Sequence, residues 1–205
     1  VSARALIHVV DDDASLRESL VDLLRAGGFE AQGYGSTGEF LLQTLPDRPG
    51  CLLLDVKLPG PSGLDLQAAL QSRGFALPIV FLTGHADVPT SVRAMKAGAV
   101  DFLEKPVVRE RLFEALGNAL ARDAAARAAR EVADRRSARL AALTRREREV
   151  FDRIVAGRRN QEIADELGVS LRTVKAYRAQ LMDKLGVHTA AELGRVAGAP
   201  RDAAD

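Results

Sequence analysis

The sequence predicts a doubly wound α/β domain on a five-stranded parallel sheet, followed by a second, all-α domain of four helices. Three observations carry this. Short apolar runs such as ALIHVVD, GCLLLD and PIVFLT alternate with helix-patterned segments over the first 120 residues. The runs are apolar at consecutive positions, which suits parallel strands covered on both faces. The last third of the chain has helix starts separated by short turns instead.

Strands are expected at 5–11, 29–34, 50–55, 78–83 and 99–103. Helices are expected at 14–26, 36–45, 62–72 and 88–97, with a long one from 107. Gly27-Gly28 and Gly98 stand where helix C-termini favour glycine, and Pro89 suits the first turn of the fourth helix. Five βα units of this kind place ligands beyond the carboxyl ends of the strands.

Leu112, Leu116 and Leu120 form an i,i+4 stripe that should dock the fifth helix on the first domain or on a second subunit. Residues 118–143 contain no Gly or Pro and are rich in Ala, Arg and Glu. That composition predicts a continued helix with little apolar area to bury, hence a connector partly in solvent. The expected domains are 1–122, a helical connector 123–142, the second domain 143–197 and a frayed tail 198–205.

In the second domain, Thr144-x-x-Glu147 and Thr189-x-x-Glu192 fit capping boxes. Asn160 and Ser170 are expected N-caps for helices 161–167 and 171–185, with Gly168 turning the chain between them. Val150, Phe151, Ile154, Val155, Ile163, Leu167, Val169, Val174, Leu181 and Leu185 supply a core.

The chain has 205 residues, 47% of them hydrophobic, and a net charge of +1. Residues 1–122 hold 12 basic and 15 acidic side chains, and 123–205 hold 17 and 13. The asymmetry allows a polyanionic partner for the second part without requiring one. No run is long enough to span a membrane, and the N-terminal segment has no signal-peptide layout, so a cytoplasmic protein with no membrane partner is expected. Cys51 is alone, which excludes an internal disulfide, and it reads as buried strand packing. His8, within the first strand, reads as a core histidine.

The strand ends carry the chemistry. Asp11, Asp12, Asp13, Asp55, Thr83 and Lys105 all follow or close apolar runs, and a parallel sheet brings such ends to one edge. Converging carboxylates repel unless a cation joins them. An oxygen-only donor set with no His or Cys points to Mg²⁺. Lys105 can neutralise an incoming anion as a point charge, and Thr83 can donate a hydroxyl hydrogen bond to a phosphoryl oxygen. A carboxylate can itself accept a phosphoryl group, and Asp55, closing the middle strand, is the best placed. A cis bond at Lys105-Pro106 would fix where the lysine points.

On these residues the first 122 positions resemble a response-regulator receiver domain of flavodoxin-like fold, of the nitrogen-fixation and styrene-catabolism regulator type. The resemblance runs through VVDDD (9–13), LLLDVKLPGPSGLDL (52–66) and VFLTGHADVPTSVRAMKAGAVDFLEKP (80–106). It implies that Asp11, Asp12, Asp55 and the backbone carbonyl of Lys57 hold Mg²⁺. It also implies that Asp55 accepts a phosphoryl group from a sensor histidine kinase and that Lys105 pairs with the phosphoryl oxygens. Asp13 is then expected at the start of the first helix rather than on the metal. Thr83 and Phe102 match the family's switch pair; the family often has Tyr where this chain has Phe102, so the switch here would work by packing alone. His85 and Lys57 stand near the pocket mouth, where they could tune acyl-phosphate lifetime or be merely solvated. The implied protein is a phosphoacceptor rather than an enzyme, with at most slow self-phosphorylation from small phosphodonors and slow self-dephosphorylation.

The helix expected at 171–185 presents Arg172, Lys175, Arg178 and Lys184 on or near one surface, and such a helix can enter the major groove. Ser170, Thr173, Tyr177 and Gln180 could add phosphate or base hydrogen bonds. Residues 144–194 hold 10 basic and 8 acidic side chains, so one copy should bind weakly and dimerisation should supply much of the affinity. Residues 143–193 resemble the quorum-regulator type of four-helix DNA-binding domain. There Lys175 and Arg178 match groove-facing residues and Thr173 a backbone-contacting one. Tyr177 stands where His is frequent, and Ala179 where some relatives place a basic contact. Together the resemblances imply a two-component transcription regulator whose partners are a histidine kinase, double-stranded promoter DNA, RNA polymerase and a second copy of the chain. Two alternatives share part of the pattern: a Mg²⁺-dependent phosphatase or phosphotransferase with an Asp nucleophile, and a protein-interaction adaptor.

Overall fold

The structure, a computed structural model, describes residues 4–84 and 87–198. Two compact units divide the chain, Val1–Ala128 and Ala129–Asp205.

The first unit alternates β1 (Leu6–Val10), α1 (Ala14–Ala26), β2 (Glu30–Tyr34), α2 (Thr37–Leu41), β3 (Gly50–Asp55), α3 (Gly63–Ser72), β4 (Ile79–Thr83), α4 (Val88–Lys96) and β5 (Asp101–Glu104), then enters α5 (Arg109–Ala141). All strand pairs are parallel, in the order β2-β1-β3-β4-β5. This is the doubly wound sheet that the apolar runs predict.

Alternate side chains of the same strands feed two cores. On one face Ile7, Val9, Cys51, Leu53, Val80 and Leu82 pack with Leu20 and Leu24 of α1 and Leu112 and Leu116 of α5. On the other, Val10, Tyr34, Leu52, Leu54 and Phe81 pack with Phe40 of α2, Leu66 and Leu70 of α3 and Ala94 of α4. The leucine stripe of α5 therefore docks on its own first unit, with Leu120 against the same core. Cys51 is fully buried and burial pushes its thiol up to about 12, as strand packing requires. His8 is buried too, its Nδ1 2.8 Å from the Tyr34 hydroxyl. Burial first, and the charge of Arg48 second, pull its imidazole down to about 4.

Three elements differ from expectation by more than one residue, for local reasons. Helix α2 covers Thr37–Leu41 rather than 36–45: Ser36 caps it through the Glu39 N–H, and Pro46 bars helix at the residue before it. Strand β5 starts at Asp101 because the Ala99 N–H is still bonded to the Ala94 carbonyl beyond α4. Helix α5 starts at Arg109, with Val108 accepting the first helical bond, from Leu112.

The second unit holds α6 (Arg145–Val155), α7 (Asn160–Leu167), α8 (Leu171–Leu185) and α9 (Ala190–Ala197), after the last turns of α5. Both predicted capping boxes form, Thr144 with Glu147 and Thr189 with Glu192. Ser170 caps α8 through the Thr173 N–H at 3.1 Å. Gly168, at φ 64, takes the left-handed conformation that the turn between α7 and α8 requires. The predicted core forms around Val150, Ile163, Val174, Leu181 and Leu185, and Ala164, Val187 and Leu193 join it.

Asn160 is a correction: it is the first residue of α7, not its cap. The cap position is Arg159, whose N–H donates to Glu162 at 2.6 Å. Of the expected tail, residues 199–205 lie outside the described residues.

Candidate functional site

The carboxyl ends of β1, β3, β4 and β5 lie along one edge of the first sheet, which brings Asp11, Asp12, Asp55, Thr83 and Lys105 to a common place. Asp55 closes β3 and pairs in register with Leu82 of β4, so it sits mid-edge. Behind it α3 begins at Gly63, where a β-carbon would collide with the Asp55 carbonyl. Only glycine lets that helix start so near the acid. Ser62 and Asp65 close a capping box on the same turn, a signal the strand-end reading overlooked.

Asp11, Asp12 and Asp55 each offer an oxygen, all within 4.8 Å of one another. This set can hold a divalent metal ion, and its all-carboxylate chemistry suits a hard cation. The Lys105 Nζ lies 2.6 Å from Asp11 Oδ2 and 2.5 Å from Asp55 Oδ2. The Lys105-Pro106 bond is cis. The Asp55 carboxylate also accepts the Lys57 N–H at 2.9 Å, so both its oxygens are held. Burial lifts the Asp11 carboxyl above the ordinary carboxylate range, although Lys105 pulls the other way. Burial works to lower Lys105, but the hydrogen bonds and charge of Asp11 and Asp55 outweigh it and hold the ammonium above its usual value.

Asp13 does not join the cluster. It caps α1, accepting the Leu16 N–H at 3.1 Å, as its place at a helix start predicts. Thr83 is buried at the end of β4, and half-buried Phe102 on β5 has its ring 6.1 Å from that of Phe81. The Lys57 side chain is exposed at the pocket mouth. His85 lies outside the described residues. Arg17, unremarked in the sequence, donates from Nη1 to the Asp11 carbonyl at 2.7 Å.

In the second unit, α7, the Gly168 turn and α8 form a helix-turn-helix. Arg172 and Lys175 are exposed on α8; Thr173, Tyr177 and Arg178 are half-buried. The Thr173 hydroxyl lies 2.8 Å from that of Ser170, and Tyr177 packs partly on the core. The Arg178 Nη1 donates to Asn160 Oδ1 of α7 at 3.1 Å, so the displaced cap holds a side chain of the next helix.

Lys184 does not share this surface. Its Nζ, on an exposed side chain, lies 2.8 Å from the carboxylate of buried Glu147 on α6. That hydrogen bond is the main reason the Glu147 carboxyl is held below its ordinary value.

Among the described residues no helix is long and apolar enough to cross a membrane. Comparison with known proteins agrees with both sites. Residues 7–117 match the response regulator receiver domain, and residues 141–197 match the bacterial regulatory proteins of the luxR family. Nodulation protein W of Bradyrhizobium diazoefficiens is 43% identical, over 95% of this chain and 86% of that protein. The transcriptional regulatory protein FixJ of Azorhizobium caulinodans is 41% identical, over 93% of this chain and 90% of that one. The solved structure of the response regulator StyR covers 96% of this chain and 99% of its own at 42% identity and a TM-score of 0.85. The acidic cluster is accordingly that of a phosphoacceptor, not of a classical enzyme. The chain belongs to the response-regulator family, in its FixJ and StyR type that joins a receiver to a LuxR-type helix-turn-helix, and is a phosphorylation-controlled DNA-binding regulator of a two-component system.

Proposed function

We propose that Asp55 is the residue phosphorylated, by a sensor histidine kinase, and that this reaction sets promoter occupancy. One observation carries the reading: Asp55 stands mid-edge with Asp11 and Asp12 within 4.8 Å and Lys105 at 2.5 Å. An Asp55 carboxylate oxygen attacks the phosphorus of a phosphohistidine; the O–P bond forms, the N–P bond breaks, and the departing imidazole takes up a proton. The Lys57 N–H holds one Asp55 oxygen, which leaves the other to react once Lys105 shifts onto the phosphoryl oxygens.

Asp11, Asp12, Asp55 and the Lys57 backbone carbonyl would hold Mg²⁺. Bound there, the ion neutralises phosphoryl charge as a Lewis acid. Thr83 then donates its hydroxyl to the phosphoryl group, and Phe102 packs into the space behind it. The switch alters the face of α4, where Val88, Val92 and Met95 form an exposed apolar stripe at i, i+4 and i+7. That stripe supports pairing of two phosphorylated chains.

On DNA, Lys175 and Arg178 reach into the major groove and Thr173 contacts the backbone, while Arg172 and Tyr177 add further contacts from the same helix. A pair of α8 helices compensates for the small charge of one. RNA polymerase is the further partner of such a regulator, and the cytoplasm its place of action. The functional parts are a receiver over 1–122, a connector over 123–142, a DNA-binding domain over 143–197 and a tail over 198–205.

The test is Asp55→Asn. It should keep the fold, read by circular dichroism, and abolish labelling by radioactive acetyl phosphate. Undiminished labelling overturns the assignment.

A further inference from the structure

The turn that carries Asp11 and Asp12 is braced from outside the cluster. The β1 ladder ends with the Asp11 N–H on the Tyr34 carbonyl, at 3.1 Å, and beyond it the chain turns into α1. Within that turn the Asp13 N–H bonds Asp11 Oδ1 at 3.0 Å. The Asp11 carbonyl accepts its bond from Arg17, whose Nη1 stands 2.7 Å away.

Arg17 reaches it across a gap in the side chains of β2. A β-carbon on Gly33 would lie 3.0 Å from Arg17 Cγ and 3.1 Å from Cδ. One on Gly35 would lie 3.7 Å from Nη1. Gly33 thus leaves room beside the edge strand that the half-buried Arg17 stem fills, whereas a β-carbon at Gly35 would make only ordinary contact.

We propose that Arg17 is a positioning residue for the divalent cation: it clamps the Asp11 carbonyl and so holds the Asp11–Asp12 turn against the mutual repulsion of the carboxylates. The proposal rests on reading Asp11, Asp12 and Asp55 as a cation site. Arg17 touches neither cation nor phosphoryl group. It acts through the backbone, with a charged donor on the Asp11 carbonyl. Partners of metal ligands commonly govern affinity at this remove. Lysine keeps the charge but lacks the planar, branched head that reaches sideways to a carbonyl.

The test titrates the full chain with Mn²⁺, free Mn²⁺ being read by electron paramagnetic resonance, well below the melting temperature. A loss of stability alone leaves that isotherm unchanged, because the protein remains folded. Arg17→Ala should bind roughly tenfold more weakly, the lower end of what such partners control. Gly33→Val should weaken binding in the same direction by displacing the stem, and Arg17→Lys should recover only part of the affinity. An Arg17→Ala isotherm that superimposes on the wild type overturns the inference. Wild-type affinity unaltered by Asp12→Asn and by Asp55→Asn overturns the cation site itself.

Discussion

Lys105 Nζ stands 2.5 Å from Asp55 Oδ2, joining the end of β5 to the end of β3 across the intervening strand. The lysine is therefore the direct cationic partner of Asp55. It also meets Asp11 at 2.6 Å, so one ammonium answers two buried carboxylates. Any group that takes Asp55 as its own, whether a metal ion or a phosphoryl, must redistribute this pairing. Asp55, with both its oxygens held, is thus the centre of the pocket.

Removing the lysine tests what its double pairing contributes to stability. Lys105→Ala leaves Asp11 and Asp55 without their shared counter-charge. Breaking a buried pair costs about 3–5 kcal/mol, and the partial exposure of Lys105 brings the expected loss to about 2 kcal/mol. Saturating Mg²⁺ should return part of that stability by binding only the folded state. Urea unfolding with chelator and with Mg²⁺ measures both, and equal stability in the two media would contradict the prediction.

His8 gives the receiver a pH dependence of known direction. Its folded value of about 4 lies below the ordinary histidine value, so the unfolded chain takes the proton first as pH falls. The stabilisation from keeping the ring neutral is complete above about pH 6.5 and fades as pH falls towards 4. At most about 3 kcal/mol is involved, from the size of the shift. His8→Gln should flatten the stability profile over that window relative to the wild type, measured by denaturant midpoints at stepped pH.

Asp11, Asp55, Thr83 and Lys105 were legible in the sequence because each ends an apolar run, and a parallel sheet has one edge for all such ends. The paired Thr–Glu capping boxes were legible because both partners lie within one turn. Asn160 was misread for the converse reason: its partner is Arg178, eighteen residues away on another helix. Arg17 was invisible because the room for its stem exists only once β2 lies beside β1. Lys184 is a different case. It follows Lys175 by nine residues, about 180° round an α-helix, so its separation from the exposed basic face was already written in the spacing.

Lys184 should accordingly matter for stability rather than for DNA. Its ammonium is the main partner of buried Glu147, which also closes the cap of α6 through the Thr144 N–H at 2.7 Å. Lys184→Ala should cost about 1–2 kcal/mol, the range for a hydrogen bond to a charged group, reduced for the lysine's exposure. The Glu147 contribution is present at neutral pH and lost as pH falls through its depressed value, so the variant and the wild type should converge in acid. Promoter affinity, measured where both proteins are folded, should change by no more than about twofold, well under 1 kcal/mol.

The contact between Asn160 and Arg178 makes the sharpest prediction for the DNA reader. On the proposed DNA reading, Arg178, with Nη1 on the Asn160 side chain, would enter the complex already aimed, whereas exposed Lys175 would have to order itself on binding. Arg178→Ala removes the contact and its aim together. Asn160→Ala removes only the aim, so it should weaken binding less, by a fewfold. The double variant should then bind like Arg178→Ala alone, a non-additivity that a double-mutant cycle on one operator duplex measures directly. Additive losses would mean that Asn160 meets DNA independently. Sequence preference adds a second check: with Lys175 and Arg178 read as groove-facing, the loss of either should weaken specific binding more than non-specific binding. Thr173→Ala, which removes a backbone contact, should instead weaken specific and non-specific binding alike.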